Sequence, residues 1–263
     1  MKLLKKMAGT GCNLKREKEV KTTLKKFKDL NEMAIETCEF IVRTAKAAVK
    51  KRGYFSLVLS GGGAPKPAYE LLATPKYSKR MPWHATYIFY QDDRYVSIRD
   101  MASNFKTSWT LLLKKTPIPK ENICRMRFEI KPVAKAAAAY EMFLKKFFLV
   151  RGLKKGFGSF DIVIAGVGPD GHTSSLFPGD AKALNEKTHW IISIKAPDWA
   201  LTKDRITMTF PLINSARTVL MLIGAPVKGE VIDRVLKGDK AYPASRTKAK
   251  EEIKWFIDRH IYM

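Results

Sequence analysis

His172 directly follows Gly171, and Asp170 stands two residues before it. An imidazole with an unperturbed pKa near about 6.5 can accept a proton at neutral pH, and a carboxylate at that spacing can orient or tune it. A lone histidine is more often structural; this one follows a short apolar run, and His84, His189 and His260 have no such setting. Two other polar clusters could hold an anion. In Ser60-Gly61-Gly62-Gly63-Ala64-Pro65, backbone N–H groups could close around a phosphate, helped by a following helix N-terminus, or the glycines could serve only a turn of positive φ. In Asp92-Asp93-Arg94, the planar guanidinium could grip a phosphate while an aspartate holds it in place, or the group could be a surface ion pair. The glycine run fits neither GxGxxG nor GxxxxGK[ST], so no dinucleotide or nucleoside-triphosphate loop is indicated. The histidines are not spaced as metal ligands, so a metal-free reaction without a cofactor is expected.

The elements that must carry these clusters follow from hydrophobic spacing. Phe27, Leu30, Ala34, Ile41, Ala45 and Ala48 recur at helical intervals, predicting a helix over 24–51 that ends at Gly53. The runs 54–60, 84–90 and 160–166 read as short buried strands, and each delivers one of the three clusters at its C-terminal end. Further strands are expected over 190–194, 206–210, 219–223 and 253–257, with helices over 66–73, 103–113, 133–150 and 227–236. Strands alternating with helices predict an α/β fold, a doubly wound and mainly parallel sheet with helices on both faces. In such sheets ligands bind outside the carboxyl ends of the strands, which is where all three clusters fall.

The 263 residues fit one domain over 24–263, with a basic extension over 1–23. With 49 lysines and arginines against 25 acids, the net charge is +24. Such a balance makes nucleic acid a first suspect, yet the basic residues spread from Lys2 to Arg259, and no recognition module is present. Cys12, Cys38 and Cys124 form no CxxC pair, which suits a reducing compartment. Lys5-Lys6 interrupt the apolar stretch a signal peptide needs, and no window approaches the roughly 18 apolar residues of a membrane span. A cytoplasmic protein without a membrane partner is expected.

LVLSGGGAPKPAYELL (57–72), FYQDDRYVSIRDMASN (89–104), FDIVIAGVGPDGHTSSLFPG (160–179) and RITMTFPLINSARTVLMLIGAPVKGEVIDRVLKGD (205–239) resemble the 6-phosphogluconolactonase family, in the family's order and spacing. That family is part of the wider group that contains glucosamine-6-phosphate deaminase. The resemblance implies metal-free hydrolysis of 6-phospho-D-glucono-1,5-lactone in the oxidative pentose phosphate pathway. It implies His172 as general base and Asp170 as its support. Gly61, Gly62, Gly63, Asp92, Arg94, Gly171 and Arg205 would be substrate- or phosphate-binding. A lysine is expected shortly before Arg205, and because KAPDWALTKDR is about two residues longer than usual, Lys195 and Lys203 compete for it. A monomer or weak dimer is implied.

Three departures stand out. Gly63-Ala64 replaces the family's Ser-Thr, Asp93 replaces a glutamate, and little chain remains after the last strand for a C-terminal helix. No G-x-S-x-G elbow is present, so Ser174 and Ser175 read as loop-packing residues rather than nucleophiles. The deaminase branch continues its GxDGH loop into a run carrying a catalytic glutamate. Here Ser175-Leu176-Phe177-Pro178-Gly179 holds no acid, which favours the lactonase branch over it. A nucleic-acid-binding protein on the same scaffold is the remaining alternative.

Overall fold

A computed structural model describes residues 20–263. Among them nine strands form two sheets. The strands are β1 (Lys21–Phe27), β2 (Phe55–Leu59), β3 (Thr86–Tyr90), β4 (Asp92–Arg94), β5 (Ile162–Ala165), β6 (Ile191–Lys195), β7 (Asp204–Met208), β8 (Thr218–Ile223) and β9 (Glu252–Asp258). Six of them make an all-parallel sheet in the order β1-β9-β8-β5-β2-β3, and β4-β7-β6 make a small antiparallel one. The helices are α1 (Leu30–Arg52), α2 (Lys66–Leu72), α3 (Pro75–Ser78), α4 (Asn104–Leu111), α5 (Val133–Leu149), α6 (Ala181–Leu184), α7 (Phe210–Asn214) and α8 (Gly229–Leu236). None is long and apolar enough to cross a membrane.

The central strands β2, β5 and β8 are buried along their whole length, which is why they read as continuous apolar runs. Aromatic side chains fill the space beside them. Phe147 and Phe148 of α5 meet Phe89 and Phe160 edge-on or nearly so, with ring centroids 4.9 Å apart in both the Phe89–Phe147 and Phe148–Phe160 pairs. At the N-terminal edge of the sheet, buried Asp161 accepts hydrogen bonds from Ser56 N and Ser56 Oγ, both at 2.9 Å, and pairs with Arg52 and Arg217. This locks the start of β5 to β2 on the side away from the three clusters.

The first predicted helix is divided. Its opening residues form β1, an edge strand paired with β9, so Lys21 to Thr23, expected in the extension, already belong to the sheet. Phe27 packs edge-on against Phe256 at 5.0 Å, and Thr23 Oγ1 donates to Glu252 at 2.9 Å. Only Phe27 of β1 is buried, so the strand shows no alternation, and Phe27 happens to fall in phase with the helix behind it. The helix proper starts after Asp29, whose carboxylate accepts from Asn31 N and Glu32 N at 2.9 Å. It ends at Gly53, in the left-handed region at φ 79°. The predicted extension up to residue 19, with Cys12, lies outside the described residues. Beyond β9 there is one 3-10 turn, Arg259–Tyr262.

Candidate active site

A cavity of about 220 Å³ opens at the carboxyl ends of β2, β3, β5 and β8, bounded on one side by the small sheet. Gly61, Gly62, Gly63, Asp92, Arg94, His172 and Arg205 all line it, so the three clusters do converge. Asp170 and Gly171 stand behind His172 rather than in the wall.

The His172 loop is a tight turn. Gly168 N donates to His172 O and Gly171 N to Gly168 O, both at 2.9 Å. A Cβ on Gly168 would collide with the His172 ring. Asp170 Oδ1 accepts from His172 N at 3.2 Å and also contacts His172 Nδ1 closely. With Nδ1–H donating to that carboxylate, Nε2 carries the lone pair, the arrangement a general base requires. Burial alone would raise the Asp170 pKa, but its hydrogen bond to His172 and the imidazole charge outweigh this and hold it below the usual carboxylate range. Phe177 and Trp199 flank the ring at centroid distances of 4.7 and 6.2 Å.

The glycine loop is anchored from below by Tyr69 of α2, whose hydroxyl accepts from Ser60 N at 3.0 Å and donates to Ser60 O at 2.8 Å. The N–H groups of Gly61, Gly62 and Gly63 are not bonded to any backbone carbonyl among the described residues, and Gly62 adopts φ 88°. The expected help from the following helix is weak, because α2 has only seven residues and its first N–H, that of Lys66, is taken by Gly63 O.

β4 and β7 bring Arg94 and Arg205 to facing positions in register. Like charges directly opposite in a sheet are unfavourable without an anion between them. Arg205 is 8% exposed and its Nε donates to Thr202 O at 3.0 Å; burial first, then Arg94, lower its pKa. Behind them, buried Asp93 accepts from Asn104 N, Phe105 N and Arg94 N at 2.7, 3.0 and 2.8 Å. It therefore holds the start of α4 against β4. Asp92 Oδ2 accepts from Ser175 Oγ at 2.6 Å, tying the histidine loop to the small sheet. Ser175 is thus a packing residue, as expected.

Neither lysine expected near Arg205 lines the cavity. Lys195 pairs with Asp204 at 2.7 Å, and Lys203 Nζ is held by Pro197 O, Asp198 O and the Asp198 carboxylate. Each ammonium instead pairs with a neighbouring acid, Lys195 with Asp204 at the start of β7 and Lys203 with Asp198. Asn104 and Gln91 are wall residues with no role assigned from the sequence, and Ser174, read there as loop packing, also lines the cavity. Asn104 donates to Asp92 O at 2.9 Å and fills the space a Gly61 Cβ would take. Gln91 and Ser174 bring buried polar atoms to the wall. No group of potential metal ligands occurs among the described residues.

The family described as glucosamine-6-phosphate isomerases/6-phosphogluconolactonase matches residues 28–255. A probable 6-phosphogluconolactonase 2 of Arabidopsis thaliana is 35% identical over 240 residues, 89% of this chain and 92% of that one. A 6-phosphogluconolactonase of Nostoc is 32% identical, over 91% of this chain and 96% of its own. The crystal structure of a 6-phosphogluconolactonase from Thermotoga maritima superposes with a TM-score of 0.76 at 28% identity, covering 90% of this chain and all of that one. The chain belongs to the glucosamine-6-phosphate isomerase/6-phosphogluconolactonase family.

Proposed function

We propose that this chain hydrolyses 6-phospho-D-glucono-1,5-lactone to 6-phosphogluconate, the lactonase step of the pentose phosphate pathway. The observation that carries the reading is one cavity holding a carboxylate-backed imidazole together with a facing pair of arginines. The arginines and the glycine N–H groups take the 6-phosphate. His172 Nε2 removes a proton from water as its oxygen bonds to the lactone C1. The tetrahedral intermediate then collapses by breaking the C1–O5 bond, and the imidazolium returns the proton to O5. Asp170 keeps the ring in the required tautomer throughout. A δ-lactone is an activated ester, so no acyl-enzyme is needed. Lys195 and Lys203 have no part in this account.

The deaminase alternative needs an acid in the run after His172, and Ser175 to Gly179 contain none. Two buried free thiols, Cys38 and Cys124, both pushed up to about 12 by burial, fit a reducing compartment such as the cytoplasm. We read the protein as a monomer or weak dimer whose partner is the phosphosugar, with the positive charge serving substrate capture rather than nucleic acid. The test is hydrolysis of the lactone generated in situ by glucose-6-phosphate dehydrogenase, against ammonia release from glucosamine 6-phosphate. Rapid lactone loss without ammonia is expected; the reverse would overturn the reading.

A further inference from the structure

Gln91 is the single residue between β3 and β4, and its backbone is fully paired. Its N–H donates to Leu59 O at 2.9 Å and its C=O accepts from Met208 N at 2.8 Å. The residue is completely buried and belongs to the cavity wall, yet neither Oε1 nor Nε2 has a partner among the described residues. Buried amides are ordinarily hydrogen-bonded, because a desolvated donor or acceptor left unmatched is unfavourable. An amide in this condition, on a residue of the cavity wall, is open to a ligand group.

The chemistry of that ligand group follows from the amide. A phosphate dianion offers only acceptors, so it could meet Nε2 but would leave Oε1 facing negative charge. The facing guanidiniums of Arg94 and Arg205 already suit the phosphate. A hydroxyl both donates and accepts, and adjacent hydroxyls can engage both ends of a carboxamide. Ser174 adds an unpartnered hydroxyl to the same wall, on a residue held at φ 55°. We propose that Gln91 binds the ring hydroxyl groups of the sugar, and is a specificity residue separate from the phosphate-binding arginines. This rests on the lactonase reading above.

Gln91 is the only glutamine of the chain, so side-chain 15N-glutamine labelling yields one amide pair by NMR, with no substitution needed. That pair is expected to shift on adding 6-phosphogluconate and to stay in place with inorganic phosphate at saturation. In calorimetry, Gln91→Met should bind 6-phosphogluconate about tenfold more weakly, as for one lost neutral hydrogen bond with its partner left unmet, and bind inorganic phosphate unchanged. Its Tm without ligand should equal or exceed that of the wild type, because an unmatched buried amide has been removed. Equal shifts with both ligands would assign the amide to the phosphate, and a lowered Tm with unchanged affinity would make it structural; either overturns the proposal. If the wild type hydrolyses the lactone while the amide pair ignores 6-phosphogluconate, the proposal alone fails. If the wild type neither hydrolyses the lactone nor binds the product, the functional reading fails and takes the proposal with it.

Discussion

Arg94 and Arg205 occupy facing positions on antiparallel β4 and β7, two cations in register at the wall of one cavity. Each makes a hydrogen bond to a main-chain carbonyl, of Ala102 and Thr202 respectively, and the donors left over are free for an anion.

Replacing either arginine by alanine should therefore act mainly on KM. Loss of charge-assisted hydrogen bonds, at about 1.5–3 kcal/mol, corresponds to roughly a tenfold to hundredfold rise. Steady-state kinetics with the lactone check this. An unchanged KM in both variants would show that the phosphate is held elsewhere.

His172→Ala should lower kcat by about 10² to 10⁴, the usual contribution of a general base. Gly168→Ala is the sharper test. Gly168 does not adopt positive φ, so alanine suits its backbone, and the nearest obstacle is the imidazole itself. We expect a folded protein with kcat reduced at least about tenfold, since a small displacement of the base disturbs the attack geometry. Circular dichroism together with kcat measures both; wild-type turnover in Gly168→Ala would contradict the placement of the ring.

Asp93 is pushed up to about 6 by burial, against the downward pull of the N–H groups of Asn104, Phe105 and Arg94. Its folded pKa thus lies above the ordinary 3.8, so its contribution to stability is fully present below about pH 4 and declines as the pH rises through 6. Asp93→Asn does not titrate. Between pH 4 and 7 the wild type should lose up to about 3 kcal/mol relative to that variant. Urea unfolding at the two pH values decides it, and a pH-independent difference would refute the assignment.

Asp161 lies at the opposite edge of the sheet, 2% exposed, between Arg52, Arg217 and Ser56. Asp161→Ala removes the acceptor of Ser56 N and Oγ and the buried partner of Arg52, and should destabilise the fold by about 1–3 kcal/mol. Because this network is remote from the cavity, kcat/KM below the lowered Tm should be unchanged. A large kinetic effect in the folded variant would mean the two edges are coupled.

Much of this organisation was legible in the residues. Glycine-rich turns follow apolar segments at 61–63 and 166–171, and buried parallel strands read as nearly continuous apolar runs, Ser56 being the one polar residue of β2 and β5. The placement of Gly61, Arg94 and His172 in the cavity follows from those strand ends, whereas Arg205 came from the family resemblance. β1 was not legible, because an edge strand buries almost nothing and leaves no alternating pattern. The small sheet escaped notice because β4 has only three residues, so its pairing with β7 is a tertiary event. Lys195 and Lys203 came from the family resemblance alone, and their pairs with Asp204 and Asp198 are tertiary contacts that the order of residues does not announce. Gln91 carried no signal, since a lone amide gains meaning only when its surroundings leave it unmatched.

The chain passes from the large sheet to the small one through a single residue, with Tyr90 ending β3 and Asp92 starting β4. The imidazole is mounted on the first plate and both guanidiniums on the second, and the Ser175–Asp92 bond clamps the two together. Where the base stands relative to the backbone of the two arginines is consequently set by how the two sheets are joined, and by neither loop alone.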